Sequence, residues 1–206
     1  YFWVGTEALV KGYYPSIFKY YEGSIPFKTR IDSVVSWFQL PTNKRPRLVM
    51  LYFSEPDQTG HDVGVNHPNI KMTVSKMDSL LGYLMTSLNK LQIFSNLNIF
   101  ILSDHGMTNV SPERLIILDN YISHMQDINI YGRGSHAQFD LKKHPLGYTS
   151  NFLEEIGTIP NCRFWEKNNF PIRFHFENSN SGDYLLLADE GWFITTQINL
   201  DEKPFS

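Results

Sequence analysis

Two apolar runs separated by a long amphipathic stretch constrain this chain more than any other feature. Residues 48–53 read Leu-Val-Met-Leu-Tyr-Phe, and residues 97–102 read Leu-Asn-Ile-Phe-Ile-Leu. Nearly unbroken apolar runs of that length belong to strands covered on both faces. Between them, Pro68 suits a first helical position, and Val74, Met77, Leu80, Leu81, Leu84, Met85, Leu88 and Leu91 recur at helical spacing over about six turns. Strand, long helix, strand is a βαβ unit, whose crossover is right-handed and whose strands lie parallel in a helix-covered sheet. The expected class is α/β.

The rest of the chain adds elements of lower contrast. Over residues 26–38, Phe27, Ile31, Val34, Val35 and Phe38 mark the apolar side of a helix, with Lys28, Arg30 and Asp32 opposite. Pro41 and the Asn43-Lys44-Arg45-Pro46 cluster then break the chain. Residues 114–122 read as a strand or a short helix, and 129–140 as an irregular strand pair. Residues 184–188 form a third apolar strand, with 192–195 expected as its partner after the turn at Asp189-Glu190-Gly191. There is no internal repeat, low-complexity tract or linker-like stretch, so residues 1–206 are expected to be part of a single domain. The chain opens at Tyr1 with neither an initiator Met nor a signal-peptide pattern, which makes a piece of a longer protein the expectation.

Composition removes several classes of function. With 18 Lys+Arg against 21 Asp+Glu, the net charge of −3 asks for no polyanionic partner, and no nucleic-acid polymer is expected. At 42% hydrophobic and 15% aromatic, the chain lies far from the disordered corner of sequence space. No apolar run approaches the roughly 20 residues of a membrane-spanning helix. Cys162 stands alone, so no internal disulfide can form. The Asn109-Val110-Ser111 sequon is followed at once by Pro112, and no glycan is expected there.

The chemistry gathers at the ends of the two runs. The first passes into Ser54-Glu55-Pro56-Asp57-Gln58-Thr59-Gly60-His61, the start of an expected loop over residues 54–67, and the second into Ser103-Asp104-His105-Gly106. In open α/β sheets the ligand site lies outside the carboxyl ends of the strands, so the two Asp/His pairs should converge there. Two imidazoles and two carboxylates form the mixed nitrogen and oxygen donor set that zinc accepts, for one ion or two. Either pair alone is ordinary loop chemistry; both together, linked by one crossover, point to a metal centre. His67, His124, His136, His144 and His175 lack comparable neighbours, and surface or packing roles are expected. Trp37 and Trp165 read as packing residues. Trp3 and Tyr21 lie in glycine-containing loops, where a ring either closes over the core or stacks on a planar ligand. Phosphate-cradling glycine motifs and a nucleophile elbow are absent.

These residues have a recognisable arrangement. Phe2-Trp3-Val4-Gly5-Thr6-Glu7, Tyr21-Glu22-Gly23-Ser24-Ile25-Pro26-Phe27, Glu55-Pro56-Asp57-x-x-Gly60-His61-x-x-Gly64 and Ser103-Asp104-His105-Gly106-Met107 resemble, in order and spacing, the ectonucleotide pyrophosphatase/phosphodiesterase family of the alkaline phosphatase superfamily. The later Ala188-Asp189-Glu190-Gly191-Trp192 looks most like the branch of members four and five. The resemblance implies an alkaline-phosphatase-like three-layer α/β/α fold with a largely parallel central sheet, incomplete in this chain. It implies two zinc ions, one held by Asp57 and His61 and the other by Asp104 and His105, with Tyr21 stacking on a nucleotide base and Trp3 beside it.

The family's nucleophilic Thr, a further Asp and a last zinc-binding His match no position here; Thr6, Thr59 and Thr108 are not in the nucleophile's context. The implied activity is hydrolysis of nucleotide phosphodiester and pyrophosphate bonds, in substrates such as ATP, NAD or dinucleoside polyphosphates. A phospho-Thr intermediate releases nucleoside 5'-monophosphate. The implied setting is extracellular, on a parent anchored to the membrane outside this chain, and this chain alone is expected to show little or no turnover. The alternatives are a choline or lysophospholipid phosphodiesterase and a binding ectodomain that has lost catalysis.

Overall fold

Residues 13–18, 20–141 and 148–202 of the computed structural model are described here, without the side chain of Tyr148. The chain divides into two compact units, Tyr1–Met107 and Thr108–Ser206.

Helices of the first unit start where proline or a side chain serves the first turn. Helix α1 spans Phe27–Phe38 after Pro26. Helix α2, Asp57–Val63, lies within the stretch expected to be a loop. Helix α3 spans Pro68–Asn89, as its periodicity predicts, with Pro68 in its first turn and the His67 ring accepting from the Asn69 amide at 3.2 Å. His67 is therefore a cap. Helices α1 and α3 pack against each other, and Ile31 and Val34 of α1 and Leu88 of α3 are buried.

A polar bolt crosses the outer side of this helix pair. Lys28 donates to Asp32 at 2.9 Å and to the Tyr83 hydroxyl at 2.8 Å, and that hydroxyl donates to Asp32 at 2.6 Å. The Tyr83 hydrogen bond, then Lys28, lowers the Asp32 carboxyl below its usual range. The Tyr83 hydrogen bond, then Asp32, raises the Lys28 ammonium above its own.

Two sequence expectations fail in this unit. Residues 48–53 and 97–102 are not strands of any sheet among the described residues; within these runs only Leu51 carries a β-bridge. Leu48, Phe100, Ile101 and Leu102 are exposed, while Phe53 turns its ring edge onto Phe27 at 5.0 Å. An apolar run expresses a burial preference, whereas a strand exists only through a hydrogen-bonded neighbour. Arg30, placed on the polar side of α1 by its spacing, is fully buried instead.

The second unit contains the sheets. Strands β1 (Leu115–Ile117) and β6 (Phe193–Thr195) form a parallel pair, with Ile116 opposite Ile194. Strands β2 (Ile128–Tyr131), β3 (His136–Leu141), β4 (Cys162–Glu166) and β5 (Tyr184–Ala188) form an antiparallel sheet in the order β2-β3-β5-β4. The ambiguity over 114–122 resolves into both readings, a short strand followed by a 3-10 turn at Leu118–Asn120. The strand pair over 129–140 is the β2-β3 hairpin.

Strand β6 is not the partner of β5, contrary to expectation. Both edges of β5 are already taken, by β3 and β4. Gly191, at φ +80°, turns the chain away, and the Trp192 amide closes that turn on the Asp189 carbonyl at 3.0 Å. Helix α4 (Tyr148–Gly157) lays Phe152 and Ile156 into the core, and the Phe152 ring lies 5.9 Å from Phe139 and 5.2 Å from Tyr184. A short helix α5, Gln197–Glu202, follows β6.

Candidate functional site

Helix α2 makes a pair out of Asp57 and His61. Four residues apart on a helix, they share a face, and His61 Nε2 stands 3.5 Å from Asp57 Oδ1. Glu55 steadies this short helix: its Oε2 accepts from the Thr59 amide at 3.1 Å and from the Thr59 hydroxyl at 2.8 Å. Thr59 Oγ1 in turn reaches Thr73 Oγ1 of α3 at 3.2 Å. Thr59 is therefore occupied as a structural residue.

The second pair is held by its own backbone. Asp104 Oδ1 accepts the His105 amide at 3.1 Å, and Ser103 Oγ donates to the His105 carbonyl at 2.5 Å. His105 Nδ1 lies 2.9 Å from the Gly106 carbonyl. A carbonyl only accepts, so Nδ1 carries the proton and Nε2 keeps its lone pair. That nitrogen stands 3.8 Å from Asp104 Oδ2 and 3.9 Å from Asp57 Oδ1. The Gly106 carbonyl, then the Asp104 carboxylate, raise the His105 pKa above the usual imidazole value; burial opposes them, and Asp57 adds a lesser upward push.

All four sequence-derived candidates thus lie together. Asp57 Oδ1 is the focus: it is buried, it has no hydrogen-bond partner, and two imidazole nitrogens face it. A hydrogen-bonded carboxylate and imidazole would close to about 2.7–2.9 Å. Two donors of one tetrahedral zinc, with bonds of about 2.0–2.1 Å, stand roughly 3.4 Å apart. The separation within α2 matches the second figure, and the Asp104–His105 separation is slightly wider. The donor chemistry and the orphaned oxygen therefore fit a zinc centre. Each pair offers two donors, and among the described residues no three His, Cys, Asp or Glu side chains form a group able to hold an ion alone.

The sequence reading missed the neighbours of this site. Tyr52 lies with its ring 6.3 Å from that of Tyr21, and its hydroxyl pKa is raised, by burial first and then by Tyr21, Asp104 and Asp57, with Arg30 opposing. Its position immediately before the run's last residue was the available signal. Arg30 Nε donates to the Ile25 carbonyl at 3.1 Å, Nη1 to Tyr52 at 3.1 Å, and Nη2 to Glu22 and Gly23 at 3.2 Å each. Nothing in a helical periodicity reveals such a role.

Trp3 lies outside the described residues, as do Thr6 and His144. Cys162 is no nucleophile candidate: burial, then Asp189, pushes its thiol up to about 11, so it is protonated near neutrality. No helix among the described residues is long and apolar enough to cross a membrane.

A chain with one Asp/His pair on a short helix and a second on a nearby loop matches known proteins along its length. The family profile described as Type I phosphodiesterase / nucleotide pyrophosphatase covers residues 1–205, and the chain belongs to that family. It is 33% identical over 214 residues to human (Homo sapiens) ectonucleotide pyrophosphatase/phosphodiesterase family member 1, spanning 100% of this chain and 23% of that protein. The structure of murine family member 5 superposes with a TM-score of 0.81 at 30% identity, covering 95% of this chain and 51% of that one. An inactive form of the same murine protein in complex with AMP gives 0.82 at 30% identity, with coverage of 95% and 52%. The chain thus spans about a quarter of that curated relative and half of the solved chains. Its fold is accordingly the alkaline-phosphatase-like α/β architecture seen in part.

Proposed function

We propose that the protein carrying this chain hydrolyses phosphodiester and pyrophosphate bonds of nucleotides such as ATP, NAD and dinucleoside polyphosphates, releasing nucleoside 5'-monophosphates with the help of two zinc ions. The observation that carries this reading is the buried, unpartnered Asp57 Oδ1, faced by the Nε2 atoms of His61 and His105. Asp57 and His61 hold one ion, and Asp104 and His105 the other. Bound zinc would stabilise charge on the attacking and leaving oxygens of an in-line displacement.

The residues of this chain prepare that site. Asp57 and Asp104 offset part of the dication charge, so an anionic product can leave. The Gly106 carbonyl fixes the His105 tautomer that presents a lone pair. Tyr21 supplies a ring for the base. A Thr from outside this chain would take the nucleotidyl group as the leaving group departs, and water would then release it as the nucleoside 5'-monophosphate; further donors also come from outside, and the chain alone is expected to show little or no turnover. Both compact units are read as parts of one catalytic domain, which the family match over residues 1–205 supports. The names of the matched relatives, which begin with "ecto", support an extracellular setting.

Zinc content and hydrolysis of p-nitrophenyl thymidine monophosphate by the full-length protein test the reading. Asp104→Ala is expected to lose bound zinc and to lower turnover by about a hundredfold or more. Zinc without turnover on this or natural nucleotides would turn the reading toward a choline-lipid enzyme or a binding ectodomain. Absence of zinc from the wild type would overturn the ligand assignment.

A further inference from the structure

Arg30 departs most sharply from what its place in the sequence leads one to expect. A guanidinium keeps its charge at any ordinary pH, and removing it from water costs several kcal/mol unless hydrogen bonds replace the solvent. Here the side chain is fully buried and spends its donors on four carbonyls. Three of them, on Glu22, Gly23 and Ile25, belong to the loop that carries Tyr21; the fourth belongs to Tyr52. The flat guanidinium also lies 5.0 Å from the Phe27 ring and 5.8 Å from the Tyr21 ring.

These contacts converge on one result. Within the loop after Tyr21, Ser24 Oγ donates to Glu22 Oε1 at 2.7 Å and the Ile25 amide reaches the Glu22 carbonyl at 3.3 Å; both ties stay inside the loop, whereas Arg30 links it to the Tyr52 backbone. The Tyr21 ring itself stays partly open to solvent. Arg30 therefore fixes, from beneath, both backbone segments that carry the two adjacent rings.

We propose that Arg30 is the positioning residue of the base-stacking subsite, fixing the Tyr21 loop and the Tyr52 backbone so that the Tyr21 ring is preset to receive a nucleobase. The inference rests on the nucleotide reading above. It assigns Arg30 no contact with substrate or metal. Lysine in its place would keep the charge but could not serve four divergent carbonyls.

The test uses full-length protein and two substrates that release the same p-nitrophenolate: p-nitrophenyl thymidine monophosphate, which carries a base, and methyl p-nitrophenyl phosphate, which does not. Arg30→Lys is expected to raise KM for the first about tenfold, the loss of one stacking contact, with kcat little changed and the base-free substrate unaffected. Tyr21→Ala should do the same, and the double variant should be no worse than either alone. Equal losses on both substrates would make Arg30 merely structural and overturn the proposal, as would additive effects in the double variant. Phe27→Leu, which removes the ring against the guanidinium and keeps its hydrogen bonds, carries the test should Arg30→Lys fail to fold. It is expected to show a smaller rise in KM confined to the base-bearing substrate. A wild type inactive on both substrates would count against the hydrolase reading instead. Calorimetric binding of AMP, weakened about tenfold by Arg30→Lys and Tyr21→Ala alike, then still decides the role of Arg30.

Discussion

At the scale of single residues, Gly60 joins the two halves of the site. It is buried in α2 between Asp57 and His61, and a methyl group there would overlap the Met107 sulfur, which belongs to the segment carrying Asp104 and His105. Two effects oppose each other in Gly60→Ala. Alanine favours helix by about 1 kcal/mol, while the displaced Met107 side chain can yield because its far end is flexible. Stability should therefore change by less than about 1 kcal/mol. Zinc affinity is expected to fall about tenfold, the scale typical of a disturbed supporting contact; zinc titration alongside urea unfolding separates the two. The convergence of the four Asp and His side chains was legible in the sequence, because both pairs follow directly on the two apolar runs. Arg30 was not legible. Its fate depends on carbonyls brought in by turns, which no side-chain pattern records.

At the scale of elements, the α1–α3 bolt predicts a definite response to pH. Asp32 titrates lower in the folded chain than unfolded, so its contribution is present above the ordinary carboxylate pKa, about 3.9, and is lost as pH falls through the lowered folded value. Lys28 titrates higher when folded, so its contribution is complete below the ordinary lysine value, about 10.4, and is lost as pH rises through the raised one. Thermal unfolding of Tyr83→Phe should therefore differ slightly from wild type at neutrality, with a shallower loss of stability below about pH 4 and above about pH 10. Helices α1 and α3 were readable because their apolar residues repeat within one segment. Helix α2 was hidden by Pro56 and two glycines, which in isolation signal a loop. The partner of β6 was hidden because pairing depends on which sheet edges are free, a property of other segments.

At the scale of the whole molecule, the unpaired runs have consequences for solubility. Phe100, Ile101 and Leu102 are 82%, 70% and 88% exposed, a contiguous apolar segment of the kind that promotes association. The chain by itself is expected to scatter light increasingly with concentration, and Phe100→Lys together with Leu102→Lys to suppress most of that scattering. The class of fold was legible because apolar runs of strand length alternate with helical periodicity, although the two runs that carried the reading belong to no sheet among the described residues. Among the described residues its hydrogen-bonded sheets lie elsewhere, in segments such as β2 and β4 that carry weak periodic signals. One last consequence concerns Asp57 and His105, which stand 3.9 Å apart although all of α3 separates them in sequence. Closing so long a loop costs an unfolded chain about 4 kcal/mol of entropy. Folding has already met that cost through the Met107–Gly60 contact and the tie from Thr59 to Thr73. An arriving cation is thus spared the work of a staple, and chelators should strip it while leaving the polypeptide folded behind it.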